Sequence, residues 1–486
     1  MRIGIGILLA VLVAATALRQ SMLIARLGFD GENSPTESDS LFALRRVCTR
    51  GTLYLDYNQA PHVITAYMPL FYWSAGLIAK HATDWLGMVI MARCSVYIYW
   101  LGIGVLIFSI ARQANCSWSA SLAAALLWGA NPLGHEWANS FRADADALFF
   151  SLAAIWAYRR GRRWVNTAAS IGLLVVAFLY KQTAVAPVVV IVMEEILRRN
   201  FRGAAVIAGV WSAAAMAIIL IGQVVTNGRF LPNVLVSAEH AALWSWAWTL
   251  LEVALALGVV TFSGAVLACV ATGRQPDANL LKRYFVVSLA LALPRTRIFG
   301  AWTNHYLEPF AAACVLTALL VQDLATRDTR GLVRWVRGGW LATSLGILIG
   351  SLAVDAGQVF QSRPEAHDAQ LDQFVARVGA FGDPLLSEDG YLMVRSGRTP
   401  YLMDPNYFRH LQSIGKFDDT ELVDKIRRGE FPGIITRFPI DVPPRPGRTF
   451  PRRWLDPMRV RYQLEGIYPV AERGVTFYLY CPGPAR

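Results

Sequence analysis

Long apolar runs recur along the chain from Leu8 to Val354. Most are long enough, or nearly so, to cross a hydrocarbon core of about 30 Å as a helix. The 486 residues are 55% hydrophobic and 12% aromatic, with a mean hydropathy of +0.38, which is too apolar for a soluble enzyme of this size. The sequence therefore predicts an all-α polytopic membrane protein.

The formal net charge of +12 does not indicate a nucleic-acid-binding protein. Arg and Lys lie between the apolar runs instead of forming one basic face, as expected when positive loops stay on the cytoplasmic side. Nucleic acid is therefore not an expected partner. The clusters that mark the inner side are 159–163, 198–202, 282–283 and 327–337.

Counting crossings from these clusters orients the rest of the chain. The first run is interpreted as an uncleaved helix, not a signal peptide, because no soluble domain follows a small-residue cleavage site. Residues 20–64 and 141–146 then lie outside, so one of the runs 66–80, 85–111 and 118–134 does not cross. The run 66–80 contains a proline and interfacial aromatics, so it is predicted to be a helix along the outer surface. About eleven crossings result.

The tail 357–486 has a different composition from the transmembrane domain 1–356. Short β-like runs (PLLSED, YLMVRSG, GIITRF, GVTFYLY) alternate with a polar helical stretch, DDTELVDKIRRGEF. This pattern predicts a small extracytoplasmic α/β domain. Among the six cysteines, only Cys48 and Cys481 could meet outside to form a disulfide.

Ionisable side chains gather in the loops that are predicted to lie outside. A charge at the bilayer centre is costly, so those of FRADAD (141–146) belong at the mouth of a helix. They could form a solvated helix end, and a lysine at such a position could simply snorkel to the interface. Carboxylates and cations together instead favour a site that binds phosphate and removes a proton. The candidates are Glu37, Asp39, Arg142, Asp144, Asp146, Lys181, Arg295, Arg297, Asn304, His305 and Tyr306.

The order of motifs resembles the membrane-embedded GT-C glycosyltransferases, in particular the bacterial protein mannosyltransferases and the aminoarabinose transferase of lipid A. The similarity covers roughly 20–325. It rests on G-x-L-Y-x-D at 51–56, Y-x-P-L at 67–70, R-x-D at 142–144, YKQT at 180–183 and N-H-Y-x-E-P at 304–309, which reads NHYLEP.

This resemblance implies a transferase that uses a sugar linked to polyprenyl phosphate. An acceptor hydroxyl of a lipid, glycan or protein would attack with inversion at the extracytoplasmic face of the inner membrane. The catalytic acid of the first loop maps to Glu37, in a polar loop, with Asp39 as its rival. The second acidic position maps to Asp144 or Asp146.

The remaining candidates take their roles from the charges gathered on this face together with the same resemblance. Lys181, with Arg295 or Arg297, would bind the leaving phosphate, and Asn304, His305 and Tyr306 would line the substrate site. Glu37 and Asp146 could hold a divalent cation such as Mg²⁺ or Mn²⁺. The alternative is a polytopic transporter or flippase of a phosphate-containing lipid or sugar with an external domain.

Overall fold

A computed structural model describes residues 2–34, 36–161, 163–236, 244–271, 276–298, 301–326, 332–361, 369–442, 450–470 and 474–484. Residues 327–331 of the basic cluster 327–337 lie outside these ranges. The predicted domain boundary near 356 lies inside the range 332–361. By contacts, the chain forms two compact units. The first comprises Met1–Gly28, Tyr67–Ala75 and Ile90–Gln361, and the second comprises Phe29–Ala66, Gly76–Val89 and Ser362–Arg486.

The helices of both units follow one another in the chain as α1 (Arg2–Leu27), α2 (Glu37–Cys48), α3 (Pro69–Ala79), α4 (Trp85–Gln113), α5 (Trp118–Gly129), α6 (His135–Ala138), α7 (Asp144–Arg159), α8 (Trp164–Tyr180), α9 (Ala186–Leu197), α10 (Phe201–Val225), α11 (Phe230–Leu235), α12 (Trp244–Leu257), α13 (Val259–Ala271), α14 (Pro276–Arg295), α15 (Leu307–Thr326), α16 (Leu332–Gln361), α17 (Ala369–Gly379), α18 (Gly390–Arg395), α19 (Pro405–Ser413), α20 (Thr420–Arg428) and α21 (Arg452–Arg461).

The apolar helices of the first unit confirm the polytopic membrane class. Among the described residues, five helical segments are long and apolar enough to cross a membrane, within α1, α4, α10, α15 with its preceding turn, and α16. The pair α12 and α13 would make a sixth span if it is counted as one. With this pair taken as one element, a helix lies at every predicted crossing, and α3 lies at the predicted surface helix. How many of the shorter helices span the bilayer stays a prediction.

The helices α12 and α13 meet at an angle of 89°. Gly258 lies at the break, and a Cβ there would approach the Phe262 ring to 2.8 Å and the Phe310 ring to 3.0 Å. A larger residue would push these packed rings apart, so glycine permits the sharp change of direction.

Helix α15 forms the interior of the first unit. In its most apolar window 83% of the residues are buried, compared with 17% for α10. An apolar helix that contacts protein on nearly all sides is a core element, whereas α10 presents most of its surface outward, as expected of a lipid-facing helix. The N-terminal end of α15 is therefore surrounded by other helices, and this is where the candidate site lies.

The second unit contains a mixed sheet packed against helices. Within the described residues the strands are β1 (Leu386–Ser387), β2 (Ile434–Thr436), β3 (Tyr462–Val470) and β4 (Val475–Pro482), in the order β1-β2-β4-β3. The pair β1 and β2 is parallel, and β4 is antiparallel to both β2 and β3. Side chains of α17, α18 and the sheet share an apolar core that includes Phe374, Leu392 and Phe477.

Three of the predicted β-like runs contain a strand, but YLMVRSG does not. It forms α18, and the Asp389 side chain caps this helix by accepting from the Leu392 N–H at 2.7 Å. A capped helix start overrides the β-propensity of a short apolar run. The strand β3 was not predicted, because on this edge strand most side chains are exposed or only partly buried, so its sequence lacks a strong apolar alternation.

The first loop belongs to the same compact unit as the C-terminal tail. Phe42 and Val63 of the loop pack with Val394 and Met403 of the tail in one buried cluster. The backbone of His62 pairs with the tail at both of its polar groups, through Tyr401 and Met403. The disulfide that Cys48 and Cys481 could have formed is not made: both are free thiols, and Cys481 donates to Glu465 Oε2 at 2.6 Å.

The stability of this second unit should depend on the ionisation of Glu32. The pKa of its carboxyl is raised from 4.5 to about 7, chiefly because burial disfavours the charged form and also because the Asp389 carboxylate is near, while Ser38 and Arg437 act in the opposite sense. The contribution of the neutral Glu32 side chain to the free energy of unfolding is fully present below about pH 4.5. It is lost as the pH rises through about 7.

We therefore expect Glu32→Gln to unfold at nearly the same temperature as the wild type at pH 4, below the ordinary pKa of the carboxyl, and at a higher temperature than the wild type at pH 8. Thermal unfolding of the detergent-solubilised protein at both pH values measures the difference. If the unfolding temperatures of the two proteins differ by the same amount at both pH values, the prediction is wrong.

Candidate active site at the end of helix α7

Asp144 is the centre of a charged cluster in the first unit. It is the first residue of α7, where the helix dipole favours a carboxylate, and only 6% of its surface is exposed. Its Oδ1 accepts hydrogen bonds from Lys181 Nζ and, at 2.7 Å, from Asn304 Nδ2. Arg142 Nε lies 3.7 Å from Oδ2. One buried carboxylate is thus surrounded by two cations and an amide.

Three helix ends bring these side chains together. Helices α7 and α8 are packed neighbours joined by a short connection, so the start of α7 lies beside the end of α8. Lys181 directly follows α8 in an extended conformation. Asn304 lies in the 3-10 turn Thr303–Tyr306 that leads into α15. Residues distant in sequence therefore meet because their helices begin or end at one level.

Aromatic rings cover the two cations. The Arg142 guanidinium lies 5.1 Å from the Trp137 ring centre and 5.9 Å from that of Tyr67, and Lys181 Nζ is also 5.9 Å from Tyr67. Cations over ring faces at these distances are stabilised electrostatically, more strongly where water is excluded. The rings also limit the directions in which the cations can move.

A small cavity of about 40 Å³ with a mixed polar and apolar lining opens beside Asp144. This volume is sufficient for ordered water. On its other side lies Glu308, whose Oε1 accepts from the Tyr284 hydroxyl at 2.9 Å and whose charge interacts with Arg295. The cavity is lined by Asp144, Ala147, Leu148, Ser151, Lys181, Thr183, Ala184, Arg295, Asn304, His305, Leu307 and Glu308.

Four of the predicted substrate-binding residues do not line this cavity. Arg142 lies beside Asp144 without lining it. Asp146 is two positions along α7 from Asp144, so it points to another side of the helix, where it is buried. The Arg297 guanidinium stacks 4.0 Å from the centre of the Trp244 ring. Tyr306 is buried, and its hydroxyl lies 3.3 Å from Thr296 Oγ1. Of the two arginines in this loop, the cavity contains Arg295.

Glu37 and Asp39 belong to the second unit and are described there by themselves. The expectation that Glu37 lies in a solvated polar loop is wrong: it is the first residue of α2 and is fully buried. Its Oε2 accepts from the Asn33 N–H at 2.7 Å. Asp39 is half-buried on the first turn of the same helix.

No group of three or more His, Cys, Asp or Glu side chains in the described ranges is arranged to hold a metal ion. Glu37 and Asp146 lie in different units. The divalent cation that they were expected to hold therefore stays a prediction.

The list of candidate residues drawn from the sequence omits three residues that belong to the cluster. Trp137 and Tyr67 cover the cations, and Glu308 lines the cavity. Tyr67 and Glu308 occur inside the Y-x-P-L and NHYLEP motifs, so their position in these motifs was the available signal. Nothing in the local sequence distinguishes Trp137 from the other tryptophans of the chain.

Solved structures with the same architecture include aminoarabinose transferase ArnT from Cupriavidus metallidurans. Its complex with undecaprenyl phosphate superposes with a TM-score of 0.61 and 12% identity, over 96% of this chain and 97% of that one. The apo form gives a TM-score of 0.58 and 13% identity, over 94% and 96%. This chain has the GT-C fold.

A second GT-C structure shares the fold over most of this chain. The apo oligosaccharyltransferase of Archaeoglobus fulgidus gives a TM-score of 0.53 and 10% identity, over 88% of this chain and 69% of that one. No protein-family model matches the sequence, and no curated protein matches it significantly. The resemblance to GT-C enzymes is thus confirmed at the level of the fold.

The Asp144–Lys181 pair should be strongly coupled. Lys181→Met leaves Asp144 buried with one fewer cation, and we expect a loss of about 3 kcal/mol in unfolding free energy, as for other buried pairs that lose one partner. Adding Asp144→Asn removes the uncompensated charge and should restore much of this loss. Thermal or denaturant unfolding of both single variants and the double variant measures the coupling. Additive effects would show that the two side chains stabilise the unit independently.

Proposed function

We propose that this protein is an integral membrane glycosyltransferase that transfers a sugar from polyprenyl phosphate to an acceptor hydroxyl. The observation that carries the proposal is the cavity at Asp144, where lysine and arginine side chains converge inside an apolar helical bundle with the GT-C fold. A donor with an isoprenoid tail requires a catalyst that lies in the membrane. We place the reaction at the extracytoplasmic face, with a lipid, glycan or protein as acceptor.

The cations of the cavity suit a phosphate leaving group. Lys181 and Arg295 line the cavity, and Arg142 lies beside Asp144. Donors fixed before the reaction stabilise negative charge that develops in the transition state. Asp144 and Glu308 hold these cations in place before the donor binds. The ArnT structure with undecaprenyl phosphate shows that a protein of this fold binds such a lipid, which supports the same ligand class here.

Neutral polar groups in the cavity suit the sugar. Asn304 donates to Asp144 through Nδ2, and its Oδ1 has no hydrogen-bond partner among the described residues. A buried carbonyl oxygen without a donor is costly, and a sugar hydroxyl would satisfy it. Ser151 and Thr183 also line the cavity and add further donors and acceptors.

The reaction requires a base for the acceptor hydroxyl. We assign this role to Glu37, with Asp39 as the alternative. The acceptor oxygen bonds to the anomeric carbon from the face opposite the phosphate while its proton passes to the carboxylate. The bond between the anomeric carbon and the phosphate oxygen breaks, and its electron pair leaves on the phosphate. Attack from the opposite face inverts the anomeric configuration.

Transfer of labelled sugar from a panel of polyprenyl-phosphate sugars to membrane lipids and glycans tests this proposal. We expect Glu37→Gln to lower kcat by about 10² to 10⁴, the usual effect of losing a general base. Asp456→Asn, a variant of an exposed carboxylate in the same unit, serves as the control and should retain full activity.

The other outcomes of this assay are also informative. Full activity in Glu37→Gln, with loss in Asp39→Asn, would move the base to Asp39. The wild type could also fail to transfer sugar from any donor while moving the phosphate lipid between leaflets. That result would show that the protein is a flippase and not a glycosyltransferase.

The two arginines of the loop before α15 provide a matched pair. We expect Arg295→Ala to lower kcat by about 10² to 10³, because it removes a donor from the cavity. Arg297→Ala removes a cation that stacks on Trp244 outside the cavity lining, so kcat should change by less than about threefold. The kcat of both variants, measured with the same donor, tests this difference. Equal losses would mean that the cavity does not bind the phosphate in this way.

A further inference from the structure

The N-terminal end of α2, which carries Glu37, lacks the cap that a helix normally receives. Thr36 occupies the N-cap position, but its side chain makes no capping hydrogen bond. Its backbone is in the left-handed region, with φ 64° and ψ 13°. A β-branched residue rarely adopts this conformation and holds it only when the surroundings impose it. Something other than Thr36 must therefore fix the start of this helix.

The carboxylate of Glu32 takes the place of the missing cap. Its Oε1 accepts from the Ser38 N–H at 2.9 Å, which is one of the backbone donors left open at a helix start. In return, Glu37 Oε2 accepts from the Asn33 N–H at 2.7 Å. Each glutamate carboxylate thus accepts a hydrogen bond from a backbone N–H of the residue that follows the other glutamate. This reciprocal arrangement fixes both the start of α2 and the side chain of Glu37.

The C-terminal tail also acts on the start of α2. The Arg437 charge favours the Glu32 carboxylate, whereas the Asp389 charge opposes it. Arg437 also binds Asp389 Oδ2 at 2.8 Å through Nη2. Gly390, which follows Asp389 in the chain, packs closely on the first turn of α2. A Cβ at Gly390 would come within 2.7 Å of Ser38 Oγ. The tail therefore contacts the start of α2 through both charge and packing.

We propose that Glu32 is a positioning residue for Glu37, and that the C-terminal tail contributes to catalysis by placing Arg437, which is bound by Asp389, near Glu32 and by packing Gly390 on the first turn of α2. This inference rests on the proposed function, in which Glu37 is the base. It assigns the tail a role inside the reaction, although the tail itself need not touch the substrate. Glu32 keeps the carboxylate of Glu37 in one orientation, and the acceptor hydroxyl meets a base that is already placed.

Kinetics of Glu32→Ala and Glu32→Gln, with Asp456→Asn as the control, test the positioning role. Glu32→Ala removes the acceptor for Ser38 and should lower kcat by about 10²-fold, as expected when a catalytic group is displaced by about 1 Å, with the KM for the donor unchanged. Glu32→Gln keeps an acceptor oxygen and should restore kcat to within a few-fold of the wild type. A merely structural role would not produce this separation between kcat and KM.

Hydrogen exchange on the same full-length proteins measures the geometry without relying on activity. The amides of Asn33 and Ser38 should exchange slowly in the wild type and in Glu32→Gln, and at least tenfold faster in Glu32→Ala. Unchanged protection of Ser38 in Glu32→Ala would overturn the positioning role, even if the alanine variant loses activity.

The two sets of measurements separate the failure of this inference from that of the proposed function. Wild-type kcat in Glu32→Ala, with an inactive Glu37→Gln, would overturn the inference and retain the base. Full activity in Glu37→Gln would overturn both the base and its positioning. If Glu32→Ala does not fold, Arg437→Gln provides the second test, and unchanged kcat and unchanged Ser38 exchange in that variant would overturn the role of the tail.

Discussion

The buried carboxylate of Asp144 is the constraint on which the first unit depends. A charge inside an apolar helical bundle is expensive unless it is paired and hydrogen-bonded. Lys181, Arg142 and Asn304 satisfy it together, and each belongs to a different chain segment. The start of α7, the end of α8 and the start of α15 must therefore meet, and the cavity lies where they meet.

This arrangement links packing to the proposed chemistry. The groups that neutralise Asp144 are also donors, and Lys181 faces a cavity that Arg295 and Glu308 share. Before a ligand binds, the carboxylates hold the cations. In the proposed reaction, a phosphate that enters would compete for the same donors. Preorganised donors of this kind are the usual means by which a protein stabilises a charged leaving group.

A second constraint acts on the start of α2. The helix begins with an uncapped threonine in a left-handed conformation, and its first turn carries two acidic residues. Glu32 supplies the missing acceptor, and the charges of Asp389 and Arg437 in the C-terminal tail act on Glu32. The tail is therefore part of the structural unit that holds the first loop, which explains why loop and tail have a common apolar core.

The sequence by itself determined the membrane class, the positions of the apolar helices, most of the strands and the cluster of charged residues, because hydrophobic period and charge are local properties of the chain. Tertiary structure alone decided that Asp144 and not Asp146, and Arg295 and not Arg297, line the cavity, and that Glu37 is buried. Residues two positions apart on a helix point to different sides, so their roles depend on which neighbouring helix faces them. The local sequence does not specify which helix that neighbour is.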